Sequence, residues 1–277
     1  MSVDHYENFP VASVLCPPAL RPAVAAIYHF ARTADDIADE GQASTSERLA
    51  DLAAYRKDLE HALAGGPPSP RWPGVFKAVA LQSQRFGLPP QLLHDLLDAF
   101  VQDASNPVYA DRTQLLDYCR RSANPVGRLL LHLYGIQDAV SLRQSDAICS
   151  ALQLINFWQD LSVDGPRGRH YVCASDQQAH GVTQAELAAC QDGPRARALV
   201  RDLVQWADTL MRQGQPLALR VPGRAGWELR LVVQGGLAIL EKIRAMDHAV
   251  LLARPTLGPL DMPRLLWRAW RMQGPAA

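Results

Sequence analysis

Apolar residues recur along this chain at helical spacing, and almost nowhere with the alternation of a strand. After Pro17-Pro18 a first helix is predicted from about Leu20 to Glu40, with Gly41 as its stop. Ser44 and Glu47 have the spacing of a capping box, opening a second helix that ends at Gly65-Gly66-Pro67-Pro68. Further helical runs are expected over about 74–86, closed by Gly87, and then 90–103, 112–134 and 140–162. Asn124-Pro125 falls inside 112–134. Proline lacks the backbone N–H and clashes with the preceding turn, so it should kink or break that helix. From Gly165 to Val172 the pattern becomes loop-like and basic, with Arg167, Arg169 and His170. Helices resume over 183–190, 195–213, 226–252 and 260–272. No repeat of solenoid period appears. The expectation is an all-α protein with residues 1–277 in a single domain.

Two of these helices carry acids where a core helix should be apolar. The first is Ala31-Arg32-Thr33-Ala34-Asp35-Asp36-Ile37-Ala38-Asp39-Glu40. Asp35 and Asp39 are four residues apart and share a face, which Arg32 joins. Stacked carboxylates repel unless a cation neutralises them. Hard cations such as Mg²⁺ take oxygen ligands, often one or two carboxylates plus substrate phosphates. A solvated acidic helix end before Gly41 would explain this stretch alone. The stretch Asn156-Phe157-Trp158-Gln159-Asp160-Leu161-Ser162-Val163-Asp164 repeats the spacing among apolar Leu152, Ile155, Phe157 and Trp158. Two acid pairs on two apolar helices make sense if the helices face each other across a cavity and bind metal ions between them.

Composition narrows the classes. The chain has 277 residues, 48% hydrophobic and 20% charged, enough for a sizeable core. Lys+Arg and Asp+Glu are both 28, and no basic stripe interleaved with aromatics is present, so nucleic acid is not an expected partner. The five cysteines, Cys16, Cys119, Cys149, Cys173 and Cys190, are scattered without a C-x-x-C pair. That suggests neither a zinc site nor a disulfide framework, and fits a reducing cytosol. The first ten residues lack a signal-peptide pattern, and no uncharged apolar run is long enough to span a membrane. The last helix sets Arg264, Arg268 and Arg271 beside Leu265, Leu266, Trp267 and Trp270. Arginine with tryptophan suits a membrane interface. A closing helix packed on the core, its arginines reaching outward, has the same composition and is the expectation.

The paired acid segments, in their order and separation, resemble the trans-isoprenyl diphosphate synthases of the squalene/phytoene synthase family. The resemblance extends through His5-Tyr6-Glu7-Asn8-Phe9, the Leu20–Asp39 helix, Tyr118-Cys119, Val126-Gly127, Gln153 with Asn156, Gly168-Arg169 and the Arg254-Pro255 tail. It implies an all-helical isoprenoid synthase fold around a central apolar cavity. It also implies that Asp35, Asp39, Asp160 and Asp164, with Asn156 as co-ligand, hold Mg²⁺ (or Mn²⁺) against a substrate diphosphate. Arg32 would then contact the diphosphate and assist its departure. Departures from the family pattern are informative. Tyr6 and Asn8 stand where serines are usual, and Ser122-Ala123-Asn124-Pro125-Val126-Gly127 replaces V-A-G-x-V-G. Gln159 replaces an arginine, and Gly236 a tyrosine of the late helix. These changes point away from joining two farnesyl diphosphates.

Within the family, E-N-F-P-V-A-S, F-A-R-T-A-D-D-I-A-D-E, S-A-N-P-V-G-R and N-F-W-Q-D are most similar to the branch that turns presqualene diphosphate and water into hydroxysqualene. The resemblance then implies ionisation, cation rearrangement and water capture, with no NADPH. Condensation of two prenyl diphosphates is the alternative, and an inactive assembly or binding protein a more distant one. Tyr118 is expected to guide a proton or stabilise a cation. His5, Tyr6, Asn8, Gln153, Gln159, Arg169 and Tyr171 are the remaining candidates for substrate contact, and Asn124, Gln153 and Gln159 for placing the capturing water. Phe157 and Trp158 read as core, as do His29 and His132. An apolar substrate suggests transient contact with a membrane or a neighbouring enzyme of the squalene route. The expected location is cytoplasmic, with a peripheral position at the inner membrane surface as the alternative.

Overall fold

Six of the α-helices among the described residues carry proline in their first turn, where a missing N–H costs nothing. The computed structural model describes residues 16–272 except Pro68. His5, Tyr6 and Asn8 lie outside the described residues. Among those described there is no strand, as the periodicity predicts. Helix α1 spans Arg21–Asp39, α2 Thr45–Leu63, α3 Pro73–Phe86 and α4 Pro90–Ala104. The capping box of α2 forms: Glu47 N–H donates to Ser44 Oγ at 3.4 Å, and Ser44 N–H to Glu47 Oε2 at 2.8 Å.

The predicted 112–134 run is two helices, α5 (Arg112–Ser122) and α6 (Asn124–Leu133), broken at Ala123 just before Asn124-Pro125. The 140–162 run is likewise divided, into α7 (Ala139–Gln159) and a single turn, α8 (Leu161–Asp164), with the break at Asp160. Then come α9 (Ala174–His180), which the pattern did not predict, α10 (Gln184–Ala188) and α11 (Pro194–Gly214). The short α12 (Leu217–Arg220) was also not predicted. Helix α13, Gly223–Ala245, stops short of the expected 252. Asp247 and His248 there take φ of 52° and 61°, which no right-handed helix accommodates. A 3₁₀ turn at Pro259–Asp261 leads into α14, Met262–Arg271.

Two apolar clusters fill the interior. One gathers α1 to α4 around Phe30, Tyr55 and Phe76; the other surrounds α7 with side chains of α5, α11 and α13. They interlock through α4, whose Leu93, Leu96 and Leu97 join the first and Ala99 the second. Helix α6 does the same, with Leu129 and Leu133 on one side and Leu131 on the other. Helix α7 packs against α5, α6, α11, α12 and α13. It meets α11 backbone to backbone at Gly214, where a Cβ would lie 2.5 Å from the Gln144 carbonyl oxygen and 2.8 Å from the Ile148 nitrogen. Of the two expected core histidines, His132 is half-buried with Nε2 2.9 Å from the Phe86 carbonyl, but His29 is exposed. It sits one residue off the face that buries Ala26, Ile27 and Phe30.

This packing puts both acid segments at helix C-termini. Asp35 and Asp39 lie in the last turn of α1, and Asp160 caps α7.

Gly214→Ala is expected to destabilise the protein by about 1–3 kcal/mol, because the atoms met are backbone and cannot rotate away. Gly235→Ala, where the nearest atom is Leu257 Cδ1 at 3.8 Å, should be neutral or stabilising, since glycine is costly inside a helix. Urea unfolding of both variants checks the contrast; equal losses would refute the close approach.

Candidate active site

A carboxylate at a helix C-terminus meets the negative end of the backbone dipole, so these acids are disfavoured where they sit unless positive charge reaches them. In the free chain arginines supply it. Arg32 pairs with Asp35 at 2.9 Å, Asp36 at 2.8 Å and Glu40 at 2.7 Å. Arg169 pairs with Asp39 and reaches 3.7 Å from Asp164, so one guanidinium bridges the first acid segment and the second. Arg254 pairs with Asp160, its Nη2 donating to Oδ2 at 3.3 Å.

Local backbone explains how Arg169 arrives there. Gly168, at φ 75°, reverses the chain after α8, and the N–H groups of Arg167 and Arg169 donate to the Asp164 carbonyl at 3.1 and 3.0 Å. Asn106 of the α4–α5 connection donates to the Gly168 carbonyl at 2.7 Å and holds the turn from the other side.

Behind the acids stands an aromatic wall. Phe157 stacks on Tyr171 with ring centroids 3.6 Å apart and planes 7° from parallel. Tyr118 lies 6.2 Å from Phe157 and 5.6 Å from Tyr109. The Tyr118 hydroxyl donates to Asp103 Oδ2 at 3.0 Å, in the last turn of α4. Burial raises Asp103 from 3.8 to about 7, the phenol hydrogen bond opposing and the charges of Asp35 and Asp39 adding to it. Burial likewise pushes Asp164 up to about 6, against the pull of Arg169. The Tyr118 and Tyr171 phenols are raised by burial, so both stay protonated at neutral pH.

The arrangement therefore gathers Arg32, Asp35, Asp39, Asp160, Asp164, Arg169, Tyr118 and Tyr171 from the sequence candidates. Asn156 and Gln153 are half-buried on the Asp160 face of α7. Gln159 differs from expectation. It is 1% exposed and its amide donates to the Pro255 carbonyl at 2.6 Å, anchoring the segment that carries Arg254. Asn124, also a candidate for placing water, accepts from Ser150 Oγ at 2.9 Å in the buried α6–α7 seam. Trp158, at 0% exposure, is core as expected. Two residues escaped the sequence reading. Arg254 was visible only as part of a tail motif, and Asp103 is one of three aspartates of α4 with no motif around it.

Among the described residues, no three Asp, Glu, His or Cys side chains converge tightly enough to hold a metal ion. The donors are hard carboxylate oxygens in facing pairs, each neutralised by a guanidinium. That chemistry fits Mg²⁺ when substrate phosphates complete the coordination.

Comparison with known proteins identifies the family. The family model of squalene/phytoene synthases matches residues 3–271, and the chain belongs to that family. It is 33% identical over 258 residues to a hydroxysqualene synthase of Sinorhizobium fredii, covering 92% of this chain and 85% of that protein. It is also 33% identical to a presqualene diphosphate synthase of Zymomonas mobilis over 202 residues, 73% of this chain and 67% of that one. Among solved structures, squalene synthase HpnC from Alicyclobacillus acidocaldarius superposes with a TM-score of 0.80 at 36% identity, covering 88% of this chain and 90% of the other. The fold is that of the isoprenoid synthases.

A carboxyl raised in the folded state is most compatible with folding while protonated. Its contribution to stability is full below pH 3.8 and is lost as pH rises through about 7. Asp103→Asn keeps the neutral shape, so it should melt close to wild type at pH 4 and a few degrees higher at pH 8 in metal-free buffer. Thermal scans at both values check this, and an equal shift at both would overturn the raised carboxyl.

Proposed function

We propose that this protein converts presqualene diphosphate and water into hydroxysqualene and diphosphate. The observation that carries the reading is the meeting of Asp39 and Asp164 across Arg169, which brings the two acid segments into one site. The similarity to a hydroxysqualene synthase along 92% of the chain supports the choice of reaction. Asp35, Asp39, Asn156, Asp160 and Asp164 would hold magnesium, with manganese as a substitute. When bound, the metal supplies Lewis-acid stabilisation of the leaving diphosphate.

The chain's own groups do the rest. Arg32, Arg169 and Arg254 offer guanidinium donors to diphosphate oxygens, in the geometry that suits them best. Heterolysis of the C–O bond leaves the electron pair on diphosphate and a cyclopropylcarbinyl cation on the prenyl chain. The rings of Phe157, Tyr118 and Tyr171 present π-faces to such a cation. After rearrangement a water oxygen forms the new C–O bond and one proton is released. Asp103, raised to about 7 and hydrogen-bonded to Tyr118, is suited to receive it at neutral pH. No electron is transferred, so the reaction needs no NADPH.

Condensation of two prenyl diphosphates is the second reading, favoured by the 33% identity to a presqualene diphosphate synthase. Packing at Gly236 bears on the choice. A Cβ there would lie 2.9 Å from Met211 Cε and 3.1 Å from Leu152 Cδ2, so a tyrosine, usual there in the family, would have to displace these side chains. An inactive binding protein would have no need of four acids each matched by an arginine.

Purified protein with Mg²⁺ and no reductant, given presqualene diphosphate, should yield hydroxysqualene by mass spectrometry and leave farnesyl diphosphate untouched. A condensed C30 product from farnesyl diphosphate would establish the second reading instead. Asp35→Ala and Asp160→Ala should each lower turnover by about 10²-fold or more while remaining folded, the scale of losing a main electrostatic stabiliser. Full turnover in both would end the metal-site assignment.

A further inference from the structure

The last helix departs from its expected role. With about 100° between successive residues, α14 divides into three stripes. Leu265 and Ala269, with Met272 just beyond, are 5%, 0% and 8% exposed and face the protein. Met262, Leu266 and Trp270 form a second stripe at i, i+4 and i+8, flanked by Trp267, and are 46%, 48%, 68% and 55% exposed. Leu260, in the preceding 3₁₀ turn, is 96% exposed. Arg264, Arg268 and Arg271 form the third, and α14 itself contains no acid. The tryptophans were expected to close the core with the arginines outward; instead both kinds point out.

We propose that this face of α14 seats the protein on an anionic lipid bilayer. Contiguous exposed tryptophan, leucine and methionine mark an interaction surface. Tryptophan favours the membrane–water boundary, where its ring is shared between apolar and polar surroundings. The basic stripe decides which surface. Glu241 of α13 accepts from both Arg264 (3.0 Å) and Arg268 (2.7 Å), so one carboxylate serves two guanidiniums. Arg271 lies over the Trp267 ring at 5.1 Å, carrying its charge to the edge of the apolar stripe. The surplus positive charge complements anionic headgroups. A second copy docked through the same face would bring a second set of arginines to the seam. No helix among the described residues is long and apolar enough to cross a membrane, so the contact is peripheral.

The test is flotation of the purified full chain with phosphatidylcholine vesicles, with and without phosphatidylglycerol. Wild type should float with the anionic vesicles, less so at high salt, and little with neutral ones. Trp267→Ser/Trp270→Ser should bind at least tenfold more weakly with unchanged circular dichroism and melting, since both side chains are exposed. Equal binding by the double variant, or no flotation of wild type, would overturn the proposal. Two other results would overturn it by naming a different occupant. One is dimerisation abolished by the same double variant in place of lipid binding. The other is binding that appears only after residues 1–15 are removed, which would make that segment the cover.

Discussion

Four carboxylates at the negative ends of helices set the central problem of this structure. Asp35 and Asp39 lie near the C-terminal end of α1 and Asp160 caps α7, where the backbone dipole opposes their charge, and burial opposes that of Asp164. Each is met by an arginine, and the three arginines come from very different places. Arg32 is on the same helix as its partners, Arg169 follows a glycine turn, and Arg254 arrives from the far end of the chain. The Gly168 turn, the Asn106 tether and the Gln159–Pro255 bond all serve to deliver these cations. A site assembled in this way is held closed by pairs that can be exchanged. A diphosphate with its metal ions offers the same two signs of charge in the opposite places.

Beside this charged half stands a carboxyl poised between its two protonation states near neutral pH. Asp103 shares the neighbourhood of Asp35 and Asp39, yet burial and their charge favour its protonated form. It is joined to Tyr118, and the Tyr118, Phe157 and Tyr171 rings continue the surface. Charged side chains and aromatic π-faces thus lie side by side. The separation follows from packing, since α4 and α5 bring Asp103 and Tyr118 in from one side while α7 presents Phe157 from the other.

Several departures from the family pattern turn out to have structural partners. Asn124 hydrogen-bonds Ser150 across the α6–α7 seam, and Gln159 ties α7 to the Arg254 segment. At Gly236 the side chains of Met211, Leu152 and Ile155 come within 3.2 Å of where a Cβ would lie, so a larger residue would have to displace them. Changes that looked like adjustments of substrate contact are, at these positions, adjustments of how the helices meet. At the surface, Glu241 links α13 to the basic stripe of α14 and fixes how its apolar stripe is presented.

The sequence by itself determined the helical class, most helix boundaries and the acid pairs, because each depends on spacing within one segment. Asp35 and Asp39 share a face whatever the rest of the chain does, and Pro125 breaks its helix locally. It could not determine what pairs across long separations. Arg254 and Asp160 are 94 residues apart and Arg169 and Asp39 are 130 apart, with no periodicity to link them. Asp103 is unremarkable until folding buries it among other acids. Gln159 read as a candidate for substrate contact beside Asp160, whereas its buried amide donates to the Pro255 carbonyl. For α14 the composition suits burial and interfacial exposure equally. Only packing against α13 decided that Leu265 and Ala269 face inward, leaving Trp267 and Trp270 to solvent.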